Sequence, residues 1–167
     1  MRHNLFFLLL ILLAAGCATT PPPENFSRGA NLFPPDALMI QRAVLTIHGR
    51  QFTLNGYLAL SKIGGKRLIV MENFGTVLAD VLVKPDGKVF VMRSSQLFRP
   101  KWIQDYVVAD MECVFGEAPQ KNCPGKILSP THFVIDRRSY ALDLQIVESK
   151  TGAQSPELFD ATKKEMP

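Results

Sequence analysis

Apolar and polar residues alternate along much of the chain after residue 43, and this period of two is typical of strands with one buried face. The alternation is interrupted at Gly49-Arg50, Gly64-Gly65, Asn73-Phe74-Gly75 and Pro85-Asp86-Gly87, which are turn sequences. The pattern predicts strands over residues 44–48, 51–60, 66–72, 76–84 and 88–93. A closing hairpin is predicted from residues 131–135 and 140–147.

One amphipathic helix is predicted between these two groups of strands. It begins at Pro100, since proline is favoured at the first helical position, continues over residues 101–115 and ends at Gly116. Its apolar side carries Ile103, Val107, Met111 and Val114. Asp110 lies toward that side, so a buried hydrogen bond is expected for its carboxylate. The predicted architecture is mainly β (α+β): an antiparallel sheet with one main helix packed across it.

The first seventeen residues form a predicted signal peptide. A short basic start precedes an apolar run over residues 5–15, which as a helix would span about 16 Å of a hydrocarbon core of roughly 30 Å. The junction Gly16-Cys17 resembles the bacterial lipoprotein signal, although Leu13 stands one place further from the cysteine than is usual. The resemblance implies that Cys17 carries a diacylglyceryl group. An ordinary signal peptide with Cys17 as a bystander is the alternative.

The residue after Cys17 bears on localisation. Because it is Ala18 and not aspartate, the resemblance to lipoprotein sorting rules implies a lipid anchor in the outer membrane, on its periplasmic face. Residues 18–36 hold five prolines and predict a semi-rigid tether. Phe26, Leu32 and Phe33 are apolar enough for part of the tether to dock on the domain. A tether that does not dock is the alternative. Residues 150–167 predict a polar tail with a short helix.

Length and composition predict one globular domain, over residues 37–149. The chain has 167 residues, of which 47% are hydrophobic and 20% charged. A net charge of +4 is mild and its basic residues are dispersed, so no nucleic-acid partner is expected.

Two cysteines are left once Cys17 is assigned. In an oxidising compartment, Cys113 and Cys123 predict a disulfide, since the residues between them include Gly, Pro and Asn and can turn back. A metal or redox centre is the alternative, but histidines at ligand spacing are lacking. No metal and no cofactor are expected.

The segments QRAVLTIHGRQFTLNGYLAL and RLIVMENFGTVLADVLVKPDGKVFV, after a lipidated cysteine and a Pro-rich tether, resemble the lipoprotein-carrier and lipoprotein-receptor superfamily of LolA and LolB. The likeness is closest to its small lipoprotein members and covers roughly residues 40–148. It implies a strongly curved antiparallel sheet, a half-barrel lidded by helices, that encloses an apolar cavity for acyl chains. This chain has fewer strands than the receptors, which implies a smaller or filled cavity.

Several predicted strands are apolar on both faces, as in Leu68-Ile69-Val70-Met71. A cavity for acyl chains would explain this, and so would an ordinary core with a dimer or membrane contact. The residues expected to line a cavity are Phe52, Leu54, Leu58, Met71, Val81, Phe90 and Met92. Phe98 and Trp102 are expected at its rim.

The sequence shows none of the common catalytic motifs. Ser94-Ser95, His132 and Asp110 could form a triad on paper, but their spacing does not support one. We therefore expect a non-enzymatic protein whose partners are the membrane, through its own lipid, and an acyl chain of a lipid or lipoprotein. The alternative is a structural lipoprotein with a filled core that docks an envelope protein.

Overall fold

The computed structural model describes residues 32–116 and 123–162. The predicted signal peptide, the lipidation site Cys17 and residues 18–31 of the tether lie outside the described residues. Among the described residues, no helix is both long enough and apolar enough to cross a membrane.

Within the described ranges, eight antiparallel strands form one open sheet in the order β5-β4-β3-β2-β1-β8-β7-β6. The expected mainly β fold, with one main helix across an antiparallel sheet, is therefore confirmed. The strands are β1 (Ala37–Ile47), β2 (Arg50–Ser61), β3 (Gly65–Glu72), β4 (Val77–Val83), β5 (Val89–Ser94), β6 (Gly125–Ser129), β7 (His132–Arg137) and β8 (Tyr140–Thr151).

The sheet has an inner face, which the helix covers, and an outer face. In β1 the odd-numbered residues are buried inward, and in β2 and β3 the even-numbered ones are. The strand register determines which residues share the inner face: Ala43 lies opposite Leu54 of β2 on one side and opposite Leu144 of β8 on the other. Because side chains alternate between faces along a strand, each strand contributes every second residue to the core.

The helix, α1, comprises three consecutive segments: Pro100–Trp102, Ile103–Val108 and Ala109–Phe115. It begins at Pro100 and ends before Gly116, whose backbone is extended, as predicted. The middle segment has π-helical hydrogen bonding, a feature found frequently at functional sites. Ile103, Met111 and Val114 are buried against the sheet, which confirms the predicted apolar side.

Three strands differ from the prediction. β8 continues to Thr151, whereas its predicted end was residue 147. β1 begins at Ala37, earlier than the period-two pattern indicated, and pairs along its length with both β2 and β8. β6 was not predicted, because its five residues are only partly buried and hold few apolar side chains. It pairs with β7 and forms one edge of the sheet.

The end of the tether docks on the domain. Leu32 and Phe33 pack against the core, with the Phe33 ring 5.0 Å from that of Phe115 and 5.9 Å from that of Phe133. Phe26 lies outside the described residues. The tether thus reaches the domain beside the end of α1.

The C-terminal segment covers part of the outer face. A 3₁₀ turn, Pro156–Phe159, replaces the predicted short helix and places the Phe159 ring against Ala59 and Leu82. The backbone oxygens of Leu158 and Phe159 accept hydrogen bonds from Arg67 and Lys84. This contact explains why Leu82 is buried on the outer face of β4 without invoking a ligand.

Candidate functional site

Two neighbouring cavities lie on the inner face. The inner cavity, of about 90 Å³, lies between the middle of the sheet and α1, and its lining includes Ala43, Leu54, Leu68, Val70, Met111 and Leu144. The end cavity, of about 240 Å³, lies where β1 and β2 meet the β3–β4 turn, and its lining includes Ile47, Phe52, Phe74, Leu78 and Leu97.

Four residues line both cavities and so separate them: Leu45, Leu54, Phe98 and Trp102. The Phe98 and Trp102 rings meet edge to face at 4.9 Å, with 83° between their planes. Both were predicted at the rim of a cavity. The structure instead places them in the wall between two cavities.

The predicted cavity residues divide into three groups. Leu54 lines both cavities and Phe52 lines the end cavity. Leu58 and Val81 point to the inner face, but both are fully buried in packed core and line neither of the two cavities. The half of the inner face beneath them is filled.

Met71 and Phe90 were assigned to the cavity wrongly, because both lie on the outer face, and Met92 lines neither of the two cavities. Met71 lies one residue beyond the inward-facing Val70, and Phe90 lies opposite Leu82, whose side chain packs with Phe159 on the outer face. Met92 falls at an irregularity in the β4–β5 register. For Met71 and Phe90 the physical reason is the alternation of faces along a strand.

Asp110 holds α1 to the β7–β8 hairpin. Arg137 donates two hydrogen bonds to Asp110 Oδ1, from Nε at 2.8 Å and from Nη2 at 2.6 Å, and the Tyr140 hydroxyl donates one to Oδ2. The carboxylate is buried, with 6% of the residue exposed. A buried hydrogen bond was expected for this carboxylate, and its partners are the side chains of Arg137 and Tyr140.

Burial raises the pKa of the Asp110 carboxyl, and the hydrogen bonds from Tyr140 and Arg137 oppose that rise. Burial, together with the hydrogen bond to Asp110, also raises the pKa of Tyr140. Both shifts favour the protonated form of the group. Asp110 and Tyr140 thus form a buried polar contact beside the inner cavity.

An aromatic cluster continues from this contact to the cavity wall. The Trp102 ring lies 5.5 Å from Tyr106 and 5.7 Å from Tyr140, and the Arg137 guanidinium lies 5.9 Å from the centre of the Tyr106 ring. Trp102 thus links the Asp110 contact to Phe98. Movement of the wall would disturb this cluster.

Gln41 is a polar residue in the lining that sequence reasoning did not single out. It is 4% exposed, and its amide nitrogen Nε2 has no hydrogen-bond partner among the described residues. The sequence does carry a signal for it: Gln41 is a polar residue at an inward position of β1, and the other inward positions of that strand are apolar.

The structure gives the residues of the conceivable triad different partners. His132 Nε2 lies 2.8 Å from Asp143, Asp110 is bound by Arg137 and Tyr140, and Ser95 Oγ accepts a hydrogen bond from the Phe98 amide. Within residues 32–116 and 123–162, no group of three or more His, Cys, Asp or Glu residues is placed to hold a metal ion.

Cys113 and Cys123 lie at disulfide distance, with their Cα atoms 5.5 Å apart. This spacing is within the usual range for a disulfide. The pair connects the last turn of α1 to the segment before β6, as the predicted bridge requires.

The sequence matches no family model and no curated protein sequence.

Proposed function

We propose that this protein is a non-enzymatic lipoprotein of the outer membrane, facing the periplasm, that binds an acyl chain of a lipid or lipoprotein in the two inner-face cavities. The likeness of its N-terminus to a lipoprotein signal supports the anchor at Cys17. The observation that carries the binding role is the pair of apolar cavities separated by Phe98 and Trp102.

The size of the cavities supports a single chain that enters after the wall moves. Small-molecule sites occupy about 300–1,000 Å³, and neither cavity alone reaches that lower limit, whereas the two together do. Rotation of the Phe98 ring would join them. Each methylene buried in the joined space contributes about 0.8 kcal/mol, so a chain that fills it is bound with useful affinity.

Exposed apolar residues surround the end cavity. Phe74 is 96% exposed and Leu97 is 62% exposed, and both line that cavity together with the partly exposed Phe52. Exposed apolar residues grouped at one place are typical of a contact with a membrane or another protein. In this proposal they form the apolar entrance through which an acyl chain passes from a bilayer into the end cavity.

A structural lipoprotein that docks an envelope protein is the second candidate. The filled half of the inner face, where Leu58 and Val81 are fully buried, favours it. In that case the exposed residues around the end cavity contact the partner and the cavities take no ligand.

Native mass spectrometry of the full chain, released from detergent micelles, tests the proposal. We expect bound fatty acyl species in addition to the protein's own lipid. The variant Phe98→Ala removes one of the four side chains of the wall and should bind more acyl chain, because it opens each cavity toward the other. Phe90→Ala is the matched control, since its ring lies on the outer face.

A second variant tests the opposite effect, the loss of acyl-chain binding. Leu54→Phe adds volume within both cavities and should abolish binding, whereas Leu128→Phe, at an exposed position, should leave it unchanged. If the wild-type protein and Phe98→Ala both lack bound acyl species and take none up, the second candidate replaces the first.

A further inference from the structure

One of the residues that line the inner cavity has a buried amide nitrogen without a hydrogen-bond partner among the described residues. Gln41 is on β1 at an inward position, and its Nε2 lacks a hydrogen-bond partner among the described residues although the residue is almost fully buried. Buried polar groups are almost always hydrogen-bonded, because losing water without gaining a partner costs free energy. The exception therefore calls for a physical explanation.

The space around this amide is formed by the sheet itself. Gln41 lies opposite Gly56 on β2, and a Cβ atom at Gly56 would come within 3.2 Å of Gln41 Oε1. On the other side, the β1–β8 register shifts between Ile40 and Gln41. A glycine and a register irregularity thus accommodate a glutamine where an apolar residue would otherwise pack.

Other polar groups of the lining are already engaged. Asp110 accepts hydrogen bonds from Arg137 and Tyr140, and Asn55 donates to Asn73 at 3.4 Å. The described residues that line this cavity include no lysine or arginine. A carboxylate entering it would meet no cation, so the cavity suits a neutral acceptor better than an anion.

We propose that Gln41 Nε2 is the hydrogen-bond donor that holds the carbonyl oxygen of an ester-linked acyl chain in the inner cavity. This inference rests on the proposed function and adds the ligand's chemical class. A free fatty acid binds less well, because its charge has no partner there.

Photo-crosslinking of the full chain in phosphatidylcholine vesicles tests the assignment. The vesicles contain traces of one of three probes of equal chain length, each with a diazirine at the chain end: a fatty acyl methyl ester, the free fatty acid and the alkane. Mass spectrometry then locates crosslinks in peptides from β2 or α1.

The wild-type protein should crosslink the ester about tenfold more than the alkane, the ratio expected for one buried hydrogen bond, with the free acid below the ester. Gln41→Leu, of similar size, should lose this preference while crosslinking the alkane as before. Gln145→Leu, the same substitution at an exposed position of β8, should keep it. Gly56→Ala, which presses on the Gln41 amide, provides a second variant if Gln41→Leu does not fold.

Two results would overturn the assignment. If Gln41→Leu keeps the ester preference, or if the wild-type protein crosslinks ester and alkane equally, a water molecule serves the amide and the ligand does not, while acyl binding itself stands. If no probe crosslinks to β2 or α1 in any variant, the proposed function fails and the assignment fails with it.

Discussion

Arg137 on β7 and Asp110 on α1 are 27 residues apart in the chain, and the guanidinium donates two hydrogen bonds to one oxygen of the carboxylate, at 2.6 and 2.8 Å. Tyr140 of β8 donates to the other oxygen. The contact joins the helix to the closing hairpin at the side of the inner cavity, so it fixes how far α1 stands from the sheet.

Removal of this carboxylate should destabilise the fold strongly. Asp110→Ala leaves Arg137 and Tyr140 without their buried partner, and we expect the free energy of unfolding in urea to fall by about 3 kcal/mol. Asp105→Ala is the matched control: its partner is the exposed Lys101 on the same helix, and the loss should stay under about 1 kcal/mol. Equal losses in the two variants would contradict a structural role for the Asp110 contact.

The same contact should make stability fall in alkaline solution. Burial and the hydrogen bond to Asp110 raise the pKa of Tyr140, so the folded protein keeps its proton at a pH where an unfolded tyrosine, with a pKa of 10.0, loses it. The stabilisation is present below pH 10 and decreases as the pH rises above it. Urea unfolding at several pH values should show this decrease in the wild-type protein and a smaller one in Tyr140→Phe. Parallel pH profiles would contradict the shift.

Lipidation of Cys17 is a separate prediction from the sequence. Cells given labelled palmitate should label the wild-type protein, whereas Cys17→Ser should accumulate as an unlabelled precursor. Cys113→Ser is the control, because its thiol is predicted to be in a disulfide and should not affect labelling. An unlabelled wild-type protein would remove the argument for membrane anchoring.

The disulfide should contribute to stability. The Cα atoms of Cys113 and Cys123 are 5.5 Å apart, and closing a loop this short contributes roughly 2–3 kcal/mol. Alkylation of protein purified without reductant should find neither thiol free, and the double variant Cys113→Ala/Cys123→Ala should unfold at lower urea concentration. Two free thiols in the wild-type protein would show that the bridge does not form.

Local pattern was enough to predict most of the fold. The alternation in β2 placed Leu54 and Leu58 on the inner face, and Pro100 and Gly116 marked the ends of α1, because these signals depend only on neighbouring residues. β6 lacked such a signal, since its residues are too few and too polar.

The site depended on contacts between residues far apart in sequence, which pattern alone could not supply. The partnership of Arg137 with Asp110 follows from how α1 crosses the sheet. Leu82 is buried on the outer face of β4 because it packs against Phe159, 77 residues later in the chain. Sequence reasoning also did not separate the filled half of the inner face from the half with cavities.

The docking of the C-terminal turn gives the last prediction. Phe159 is 3% exposed, and Gly64 lies so close to it that a Cβ atom there would come within 2.4 Å of the ring. Phe159→Ala should lower the free energy of unfolding by about 2 kcal/mol, the value expected for loss of a buried aromatic ring. Gly64→Ala should have a comparable effect, because its methyl group displaces the same ring. Phe74→Ala, the same substitution at a side chain that is 96% exposed, should change stability by less than about 0.5 kcal/mol.

Limited proteolysis supplies an independent readout: cleavage after residue 152 should be faster in both docking variants than in the wild-type protein or in Phe74→Ala. If Phe159→Ala and Phe74→Ala were equally stable and equally resistant to cleavage, docking of the C-terminal turn would not contribute to stability. The burial of Leu82 on the outer face of β4 would then need another partner.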